Sequence, residues 1–237
     1  MFALAGSAPA QLTLTNGNFD ADPDLGSADD PVNPPSSWFT HYTEDQSWSD
    51  FRFGNNGNGS WTNNGITLGQ NYLGPNFEPG PEDGYYYTRL GTYGGETSAR
   101  VQGLGYNRVN SNPAGNFDVA LISTPAGAFA GANGTDVASA PGAVSLGSQL
   151  FDISSLTGTT AKSQAFTLNV TFAGTGIARG SDVWLRVGDG PDDGNLGAFD
   201  EPTIDNLTLT TVVPEPVGAA GLLLACGLAV ARRRSRM

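Results

Sequence analysis

The sequence predicts an all-β protein, built as a two-sheet antiparallel β-sandwich and followed by a short C-terminal hydrophobic helix. Helical periodicity is nearly absent from the body of the chain, where Gly, Asn, Ser, Thr and Pro interrupt short β-type runs about every ten residues. Short strands joined by polar loops rather than by helices favour two packed sheets. No linker or internal repeat divides the body, so we expect one domain.

Seven segments have the strand pattern most clearly. Residues 166–172 alternate strictly between apolar and polar side chains, as expected for a strand with one face on a core. The alternation is only partial near the end of the body, because Ile204 falls out of step. In chain order the predicted strands are 11–15, 85–90, 98–102, 117–122, 165–172, 183–187 and 203–211.

Charge and cysteine content restrict the function classes. The chain of 237 residues has 11 basic and 23 acidic residues; the segment from Glu215 onward holds four arginines and one glutamate, which leaves 7 basic and 22 acidic residues and a net charge of −15. Such a surface repels nucleic acid and anionic lipid and attracts divalent cations. Cys226 is the one cysteine and lies in the C-terminal apolar run, so the body has no internal disulfide and no cysteine-based zinc site.

The C-terminal residues combine a Pro-Glu-Pro sequence, an apolar run and a basic end. The run over 217–231 is uncharged, and arginines dominate 232–236. Because Lys and Arg resist translocation, the basic end stays cytoplasmic and the body faces outward. The 15 apolar residues span about 22 Å as a helix, short of a hydrocarbon core of about 30 Å. The two prolines disfavour helix and strand, which leaves an accessible backbone for a processing enzyme.

This arrangement resembles a PEP-CTERM sorting signal, which a membrane peptidase of the exosortase type recognises. The residues that carry the resemblance are Val213, Pro214, Glu215, Pro216, Arg232, Arg233 and Arg234. It implies export by the secretion machinery, membrane association through the C-terminal segment, and delivery to the cell surface or extracellular matrix of a bacterium that makes extracellular polysaccharide. The alternative is an ordinary single-pass anchor with a chance Pro-Glu-Pro sequence.

The first ten residues carry part of a secretory signal pattern. Residues 2–5 are apolar, and Ala8-Pro9-Ala10 is a small-residue cleavage pattern, but a basic n-region is missing. We expect the remnant of a signal peptide whose true start lies upstream; the alternative is a flexible N-terminus. The predicted organisation is a signal remnant over 1–10, a β-sandwich over 11–211 and a sorting signal over 212–237.

Two segments resemble the ends of jelly-roll domains in the galactose-binding-like superfamily. Residues 14–20, Leu-Thr-Asn-Gly-Asn-Phe-Asp, precede Trp38 as an Asn-Gly-x-Phe-Glu/Asp turn does in that fold, and residues 199–209 contain its Ile-Asp-Asn-hydrophobic last strand. The resemblance implies that these ends lie side by side and that Asp20 and Asp205 hold a structural calcium. Two features depart from the family: Asp20 replaces a commonly longer Glu, and the middle of the chain has no motif that aligns.

Acidic and amide side chains form three clusters that suit a hard cation, which prefers about six to eight oxygen ligands. None of the clusters has the spacing of an EF-hand loop. The alternative is solvated turns, because Asp, Asn, Gly and Pro are the ordinary turn residues. The clusters are 20–24 with 29–30, 189–195, and 200–201 with Asp205.

Aromatic residues concentrate in a Gly- and Asn-rich region. Flat rings beside amide and carboxylate side chains suit a sugar-binding surface, because a pyranose has an apolar face and a rim of hydroxyls. Trp38, Trp48 and Trp61 are therefore candidate carbohydrate-binding residues. The alternative is that these rings close the open ends of the sandwich as core, and we expect Trp184 to be core because apolar strand residues flank it.

Signs of catalysis are weak. His41 is the one histidine, and no serine has a nucleophile elbow around it. Glycoside hydrolysis needs a pair of carboxylates, and nothing singles out a pair here. We therefore expect an exported, surface-sorted, non-catalytic protein of the cell envelope or extracellular polysaccharide matrix that binds carbohydrate. The alternatives are a glycan-processing enzyme and a purely structural matrix protein bridged by calcium.

Overall fold

The computed structural model describes a β-rich body. The described residues are 11–21, 35–40, 51–55, 61–63, 66–68, 71–75, 85–107, 116–153, 155–156, 162–189 and 203–214. Within them the regular structure is a set of twelve strands and one 3-10 turn, Val137–Ser139. The strands are β1 (Phe39–Thr40), β2 (Phe51–Asn55), β3 (Trp61–Asn63), β4 (Ile66–Leu68), β5 (Asn71–Pro75), β6 (Tyr85–Thr92), β7 (Ser98–Asn107), β8 (Asn116–Thr124), β9 (Val144–Asp152), β10 (Lys162–Thr171), β11 (Asp182–Asp189) and β12 (Thr203–Val212).

Ten of these strands form two five-stranded sheets. Sheet 1 has the order β1-β6-β11-β8-β9, and sheet 2 has the order β10-β7-β12-β5-β2. The short strands β3 and β4 pair with each other. Every described pairing is antiparallel. The predicted two-sheet antiparallel β-sandwich is therefore confirmed.

The main core lies between the two sheets. Sheet 1 contributes Phe117 and Val187, and sheet 2 contributes Val101, Phe166 and Ile204, all of them buried in one apolar cluster. The rings of Phe117 and Phe166 meet edge to face with their centroids 4.9 Å apart. Burial of this apolar surface supplies the main free energy that holds the sheets together.

Two glycines allow aromatic rings to pack directly on β7. A Cβ at Gly103 would lie 2.7 Å from the ring of Phe166, and one at Gly105 would lie 2.9 Å from the ring of Phe117. The rings fill the space that side chains on β7 would need. β7 continues to Asn107, beyond the predicted 98–102, and it pairs with β10 over this whole extension.

Six of the seven predicted strands are present, with small differences at their ends. The predicted strand at 11–15 is wrong, because those residues have no regular structure. The Leu12 N–H donates to the Glu96 carboxylate at 3.3 Å, and the Thr13 N–H donates to the Leu90 carbonyl oxygen of β6 at 2.8 Å, without a continued ladder of strand pairs. β9 was not predicted, since it is an edge strand whose side chains are mostly exposed and barely alternate. The predicted helix over 217–231 lies outside the described residues.

Candidate functional site

A long loop covers the outer face of sheet 1, the face turned away from the main core. Residues 125–143, here called the covering loop, connect β8 to β9 and include the 3-10 turn. Along β11, Val183 and Leu185 pack in the main core, whereas Trp184 packs in a second cluster beneath the loop. That cluster consists of Tyr87, Ala120, Ile122, Val137 and Trp184, with Phe39, Phe129 and Ala143 packed against it. Trp184 is 1% exposed, so the expectation that it is core is confirmed.

Hydrogen bonds from the sheet hold the covering loop in place. The Tyr87 hydroxyl donates to the Ala132 carbonyl oxygen at 2.6 Å and accepts from the Ala132 N–H at 3.2 Å. Burial raises the pKa of this hydroxyl above its ordinary value. The buried carboxylate of Asp182 accepts from the Gly127 N–H at 3.0 Å and pairs with Arg89 at 2.6 Å. The loop is thus fixed at two points by groups on rigid strands.

A pocket of about 200 Å³ opens where the covering loop meets β8, β9 and β11. Small apolar side chains from β8 and from the loop form part of its wall, and two serines of β9 add hydroxyl groups. Its lining residues are Asp118, Ala120, Ile122, Ala138, Ala143, Ser145, Ser148 and Arg186. An apolar surface with a few polar groups held on strands is the usual composition of a small-ligand site.

Arg186 is the positive charge of this pocket. Its side chain is 15% exposed, and its guanidinium carbon lies 3.5 Å from the centroid of the Tyr85 ring. Nη1 lies 3.9 Å from Oδ2 of Asp136, an ion-pair distance that is too long for a hydrogen bond. Nε is buried, and the described part of the chain offers it no acceptor. Burial of this Nε–H donor without a partner costs free energy, and the donor remains available for a hydrogen bond.

Asp118 is the negative charge of the same pocket. It lies on β8 opposite Gly188 of β11. Burial raises the pKa of its carboxyl group, while the Arg186 cation and the Val119 N–H partly oppose that rise. A partly desolvated carboxylate beside a guanidinium offers a ligand both hydrogen-bond acceptors and donors.

A second candidate site lies where the two ends of the body meet. The Leu207 N–H donates to the Gly17 carbonyl oxygen at 2.7 Å, and the Trp38 indole N–H donates to the Asn16 carbonyl oxygen at 3.2 Å. The predicted side-by-side position of these ends is therefore confirmed. Three non-glycine residues here have left-handed backbone: Asn16 (φ 52°), Phe19 (φ 59°) and Asn206 (φ 54°). Such strain persists only where the surrounding structure enforces it.

The predicted calcium ligands differ in their surroundings. Asp205 is fully buried, and its Oδ1 accepts from the Asn206 N–H at 2.6 Å. Asp20 is exposed, and its Oδ2 accepts from the Asn18 side-chain amide at 3.4 Å. In the described part of the chain, no three His, Cys, Asp or Glu side chains group together to hold a metal. Backbone and amide oxygens would have to complete a calcium site with Asp205, a donor set that a hard cation accepts.

Of the three tryptophans proposed for sugar binding, only Trp38 has a described side chain. Trp38 is 3% exposed and packs edge to face on Phe19, with ring centroids 5.5 Å apart. Its burial favours the core alternative, because its ring has no exposed face for a sugar. Trp48 lies outside the described residues, and for Trp61 only the backbone, at the start of β3, is described.

Most other predicted functional positions lie outside the described residues. These are Glu215, Pro216, the basic end 232–236, and residues 22–24, 29–30, 190–195 and 200–201 of the predicted acidic clusters. His41, for which no function was predicted, also lies outside the described residues. Val213 and Pro214 follow β12 without regular structure, and Pro214 is exposed. Among the described residues, no helix is long and apolar enough to cross a membrane.

The pocket residues Asp118 and Arg186 were not predicted. Each is a charged residue with an apolar neighbour on either side: Asp118 between Phe117 and Val119, and Arg186 between Leu185 and Val187. An isolated charge in a buried strand needs a partner or a function. The sequence therefore contained a signal for each of the two residues, although it does not show that they line the same pocket.

No family model matches the chain, and no curated protein matches it. Among solved structures, a cyclase from Fischerella sp. TAU in complex with 4-(1H-indol-3-yl)butan-2-one superposes with a TM-score of 0.52 at 12% identity, over 86% of this chain and 98% of the cyclase chain. A second structure of this cyclase gives a TM-score of 0.51 at 11% identity, over 88% and 100% of the two chains. At such low sequence identities, the similarity supports the assignment of the fold and does not indicate an activity.

Two further structures are similar at TM-scores of 0.42. A CBM4 structure is 17% identical over 83% of this chain and 98% of its own length. The enzymatically active domain of tailspike protein 4 from bacteriophage CBA120 is 9% identical over 85% of this chain, which corresponds to 21% of the tailspike chain. Neither similarity bears on function here.

Proposed function

We propose that this protein is an exported, non-catalytic carbohydrate-binding protein that a PEP-CTERM signal delivers to the cell surface or extracellular polysaccharide matrix. Its body is then a jelly roll of the galactose-binding-like superfamily, with the polysaccharide held in the pocket between β8, β9, β11 and the covering loop. Its partners are the secretion machinery, an exosortase-type peptidase and the polysaccharide.

The observation that carries the binding role is that Asp118 and Arg186 line one pocket together with apolar and hydroxyl side chains. Both are held on strands of a stable sheet, so a ligand would meet groups that are already oriented. Sugar hydroxyls both donate and accept hydrogen bonds, which matches a carboxylate beside a guanidinium. The pocket contains one carboxyl group among the described residues, whereas glycoside hydrolysis needs two, and this favours binding over hydrolysis.

A depletion experiment separates the three functions. The full chain is mixed with insoluble polysaccharides, including the exopolysaccharide of the producing bacterium, and the protein left in solution and new reducing ends are both measured. Loss of protein from solution without new reducing ends supports the binding role. New reducing ends would favour the glycan-processing enzyme, and no depletion by any polysaccharide would favour a purely structural protein.

The sorting role rests on the order of the C-terminal features and on the accessible backbone that precedes them. Val212 is 54% exposed, and Pro214 beyond it is exposed, so a peptidase would reach the chain where it leaves the sandwich. The test is the intact mass of the protein from its native cell, with and without the sorting peptidase. A mass that ends near Pro214 to Pro216 and depends on the peptidase supports sorting; a full tail in the membrane fraction under both conditions would leave a plain anchor.

A structural calcium at Asp20 and Asp205 belongs to the same proposal. The Asp205 carboxylate is fully buried and accepts from the Asn206 N–H, and a divalent cation beside it would neutralise its charge. The ion would join the first turn to the last strand, which already touch through Gly17 and Leu207. Its role would be stability of the sandwich rather than chemistry.

A further inference from the structure

We propose that the pocket binds one unit of a neutral polysaccharide and discriminates against uronate or sulfated glycans, with Arg186 donating to sugar oxygens and Asp118 accepting from a hydroxyl. This inference rests on the proposed carbohydrate-binding role and adds the ligand class. Three observations carry it: the balance of charge around Arg186, the unused donors of its guanidinium, and the size of the pocket.

The charge balance favours a ligand without charge. Asp118 lines the pocket together with Arg186, and Asp136 lies 3.9 Å from the Arg186 Nη1, so two carboxylates and one cation lie at or beside the pocket. The predicted body surrounds them with a net charge of −15. A ligand carboxylate or sulfate would add negative charge to a site that is already negative, and like charges placed together lower affinity.

The unused donors favour a ligand with many oxygens. The Arg186 guanidinium carbon lies 3.5 Å from the centroid of the Tyr85 ring, and the Nε is buried without an acceptor among the described residues. The site is therefore pre-organised around a donor group whose partner would come from outside the chain. Vicinal hydroxyls of a sugar accept from the guanidinium and donate to Asp118 at the same time, and both bonds involve a charged partner, which strengthens them.

The pocket size and wall favour a single sugar unit. Its volume of about 200 Å³ is below the roughly 300–1,000 Å³ of pockets that enclose drug-sized ligands. Ala138 and Ala143 offer apolar surface against which a pyranose face can rest, whereas Ala120 and Ile122 are almost fully buried. Ser145 and Ser148 on β9 can bond further hydroxyls. The rest of the chain of sugars would extend along the open side of the pocket.

Calorimetric titration of the full chain tests this ligand class. The probes are neutral hexasaccharides of glucose, galactose and mannose, and oligouronates of the same length. Arg186→Lys keeps the charge but loses the planar fork, and Asp118→Asn removes the negative charge while keeping the size. Each should weaken binding of the neutral probe by about tenfold. Asp118→Asn should also reduce the preference for the neutral probe over the oligouronate, because it removes a negative charge from the pocket. The matched control, Arg100→Lys on the exposed side of β7, should change nothing.

The outcomes separate this inference from the role on which it rests. Binding of a neutral probe that both pocket variants weaken, with unfolding midpoints like the parent's, supports the inference. Tighter binding of oligouronates would overturn the ligand class but leave carbohydrate binding intact. Binding that neither variant changes would overturn the assignment of the pocket. Failure of every probe, together with no depletion by any polysaccharide, would overturn the proposed function itself.

Discussion

The Leu207 N–H donates to the carbonyl oxygen of Gly17 at 2.7 Å, and this bond joins the first turn of the body to its last strand. A Cβ on Gly17 would collide with the Leu207 carbonyl oxygen, so only glycine permits the two backbones to approach this closely. The β-bulge in the pairing of β12 with β7 falls between Asp205 and Thr208, beside the same contact. The first turn and the last strand of the body are thus closely packed against each other.

Gly17→Ala should destabilise the protein by about 2 kcal/mol or more, because backbone atoms of the last strand have to move. The midpoint of urea unfolding measures the loss. Gly174→Ala is the matched control: Gly174 has a φ of 84° but nothing near its absent Cβ, so that variant reports the cost of left-handed backbone alone, about 1 kcal/mol. Equal losses in the two variants would argue against the close contact at Gly17.

Calcium should raise the thermal midpoint of the full chain, and a chelator should lower it. At a calcium concentration of about 100 times the dissociation constant, the expected stabilisation is about 2.7 kcal/mol. Asp205→Asn should remove the calcium response, because it deletes the buried carboxylate of the predicted site. Asp152→Asn, at an exposed position on β9, should keep it. A calcium response that survives in Asp205→Asn would place the ion elsewhere.

The core strands could be predicted from sequence because their apolar residues have to be buried in a core. Residues 117–122 form an apolar run that becomes β8 between β9 and β11. The junction of the chain ends could be predicted through short motifs at Gly17 and Asp205, where the backbone tolerates few alternatives. β9 could not, since an exposed edge strand has no face that must be apolar.

The pocket could not be predicted because it depends on pairing register. Asp118 and Arg186 are distant in sequence, and they share a pocket because β8 and β11 pair with Arg186 opposite Ala120 and Gly188 opposite Asp118. A shift of one residue would send either charge to the other face of the sheet. The covering loop adds the remaining wall, and its Gly- and Ala-rich sequence has no periodicity that predicts where it folds.

Tyr87→Phe should loosen the covering loop. The variant removes the hydroxyl that bonds both the N–H and the carbonyl group of Ala132. The carbonyl oxygen keeps its bond from the Thr135 hydroxyl at 2.6 Å, but the N–H loses its partner, at a cost of about 1–3 kcal/mol. Hydrogen exchange should become faster in the covering loop and stay unchanged in β7. Tyr93→Phe is the control, since its hydroxyl bonds the Glu96 carbonyl oxygen away from the loop. Faster exchange in the loop of the control would remove the special role of Tyr87.

Glu96→Gln should release the N-terminal segment from the sandwich. The Glu96 side chain is almost fully buried, and its two oxygens accept from the N–H groups of Leu12 and Gly94 at 3.3 and 2.8 Å. Gln has one oxygen and one NH₂ group, so one N–H would face another donor, at a cost of about 1–3 kcal/mol. Proteolysis near residues 11–15 should become faster in this variant, and Asp152→Asn should cleave like the parent. Unchanged cleavage would show that the segment is held mainly by its other contacts, which are the Thr13 N–H bond to the Leu90 carbonyl oxygen and the burial of Leu12.

Asp118→Asn should make the protein more stable at pH 7 and should leave its stability unchanged at pH 3. Burial raises the pKa of Asp118 above its ordinary 3.8, so the folded state keeps this proton to a higher pH than the unfolded state does. Stability is then lost as pH rises from the ordinary value through the raised one, and the loss persists at neutral pH. The amide side chain of the variant cannot ionise, so the variant does not lose this stability. At a pH below the pKa values of Asp118 in both the folded and the unfolded state, residue 118 is uncharged in both proteins.

The gain at pH 7 should stay below about 1 kcal/mol, because solvent still screens a carboxylate that is only partly buried. The substitution also removes the attraction between Asp118 and Arg186, which reduces the gain. Arg186 keeps its contacts with Tyr85 and Asp136. Urea unfolding of both proteins at pH 3 and pH 7 gives the four midpoints required. A variant that is less stable at pH 7 would show that attraction to Arg186 outweighs the desolvation of Asp118. A gain that appears only at neutral pH, together with weaker sugar binding, would mean that the pocket keeps a destabilising charge because its ligand needs it.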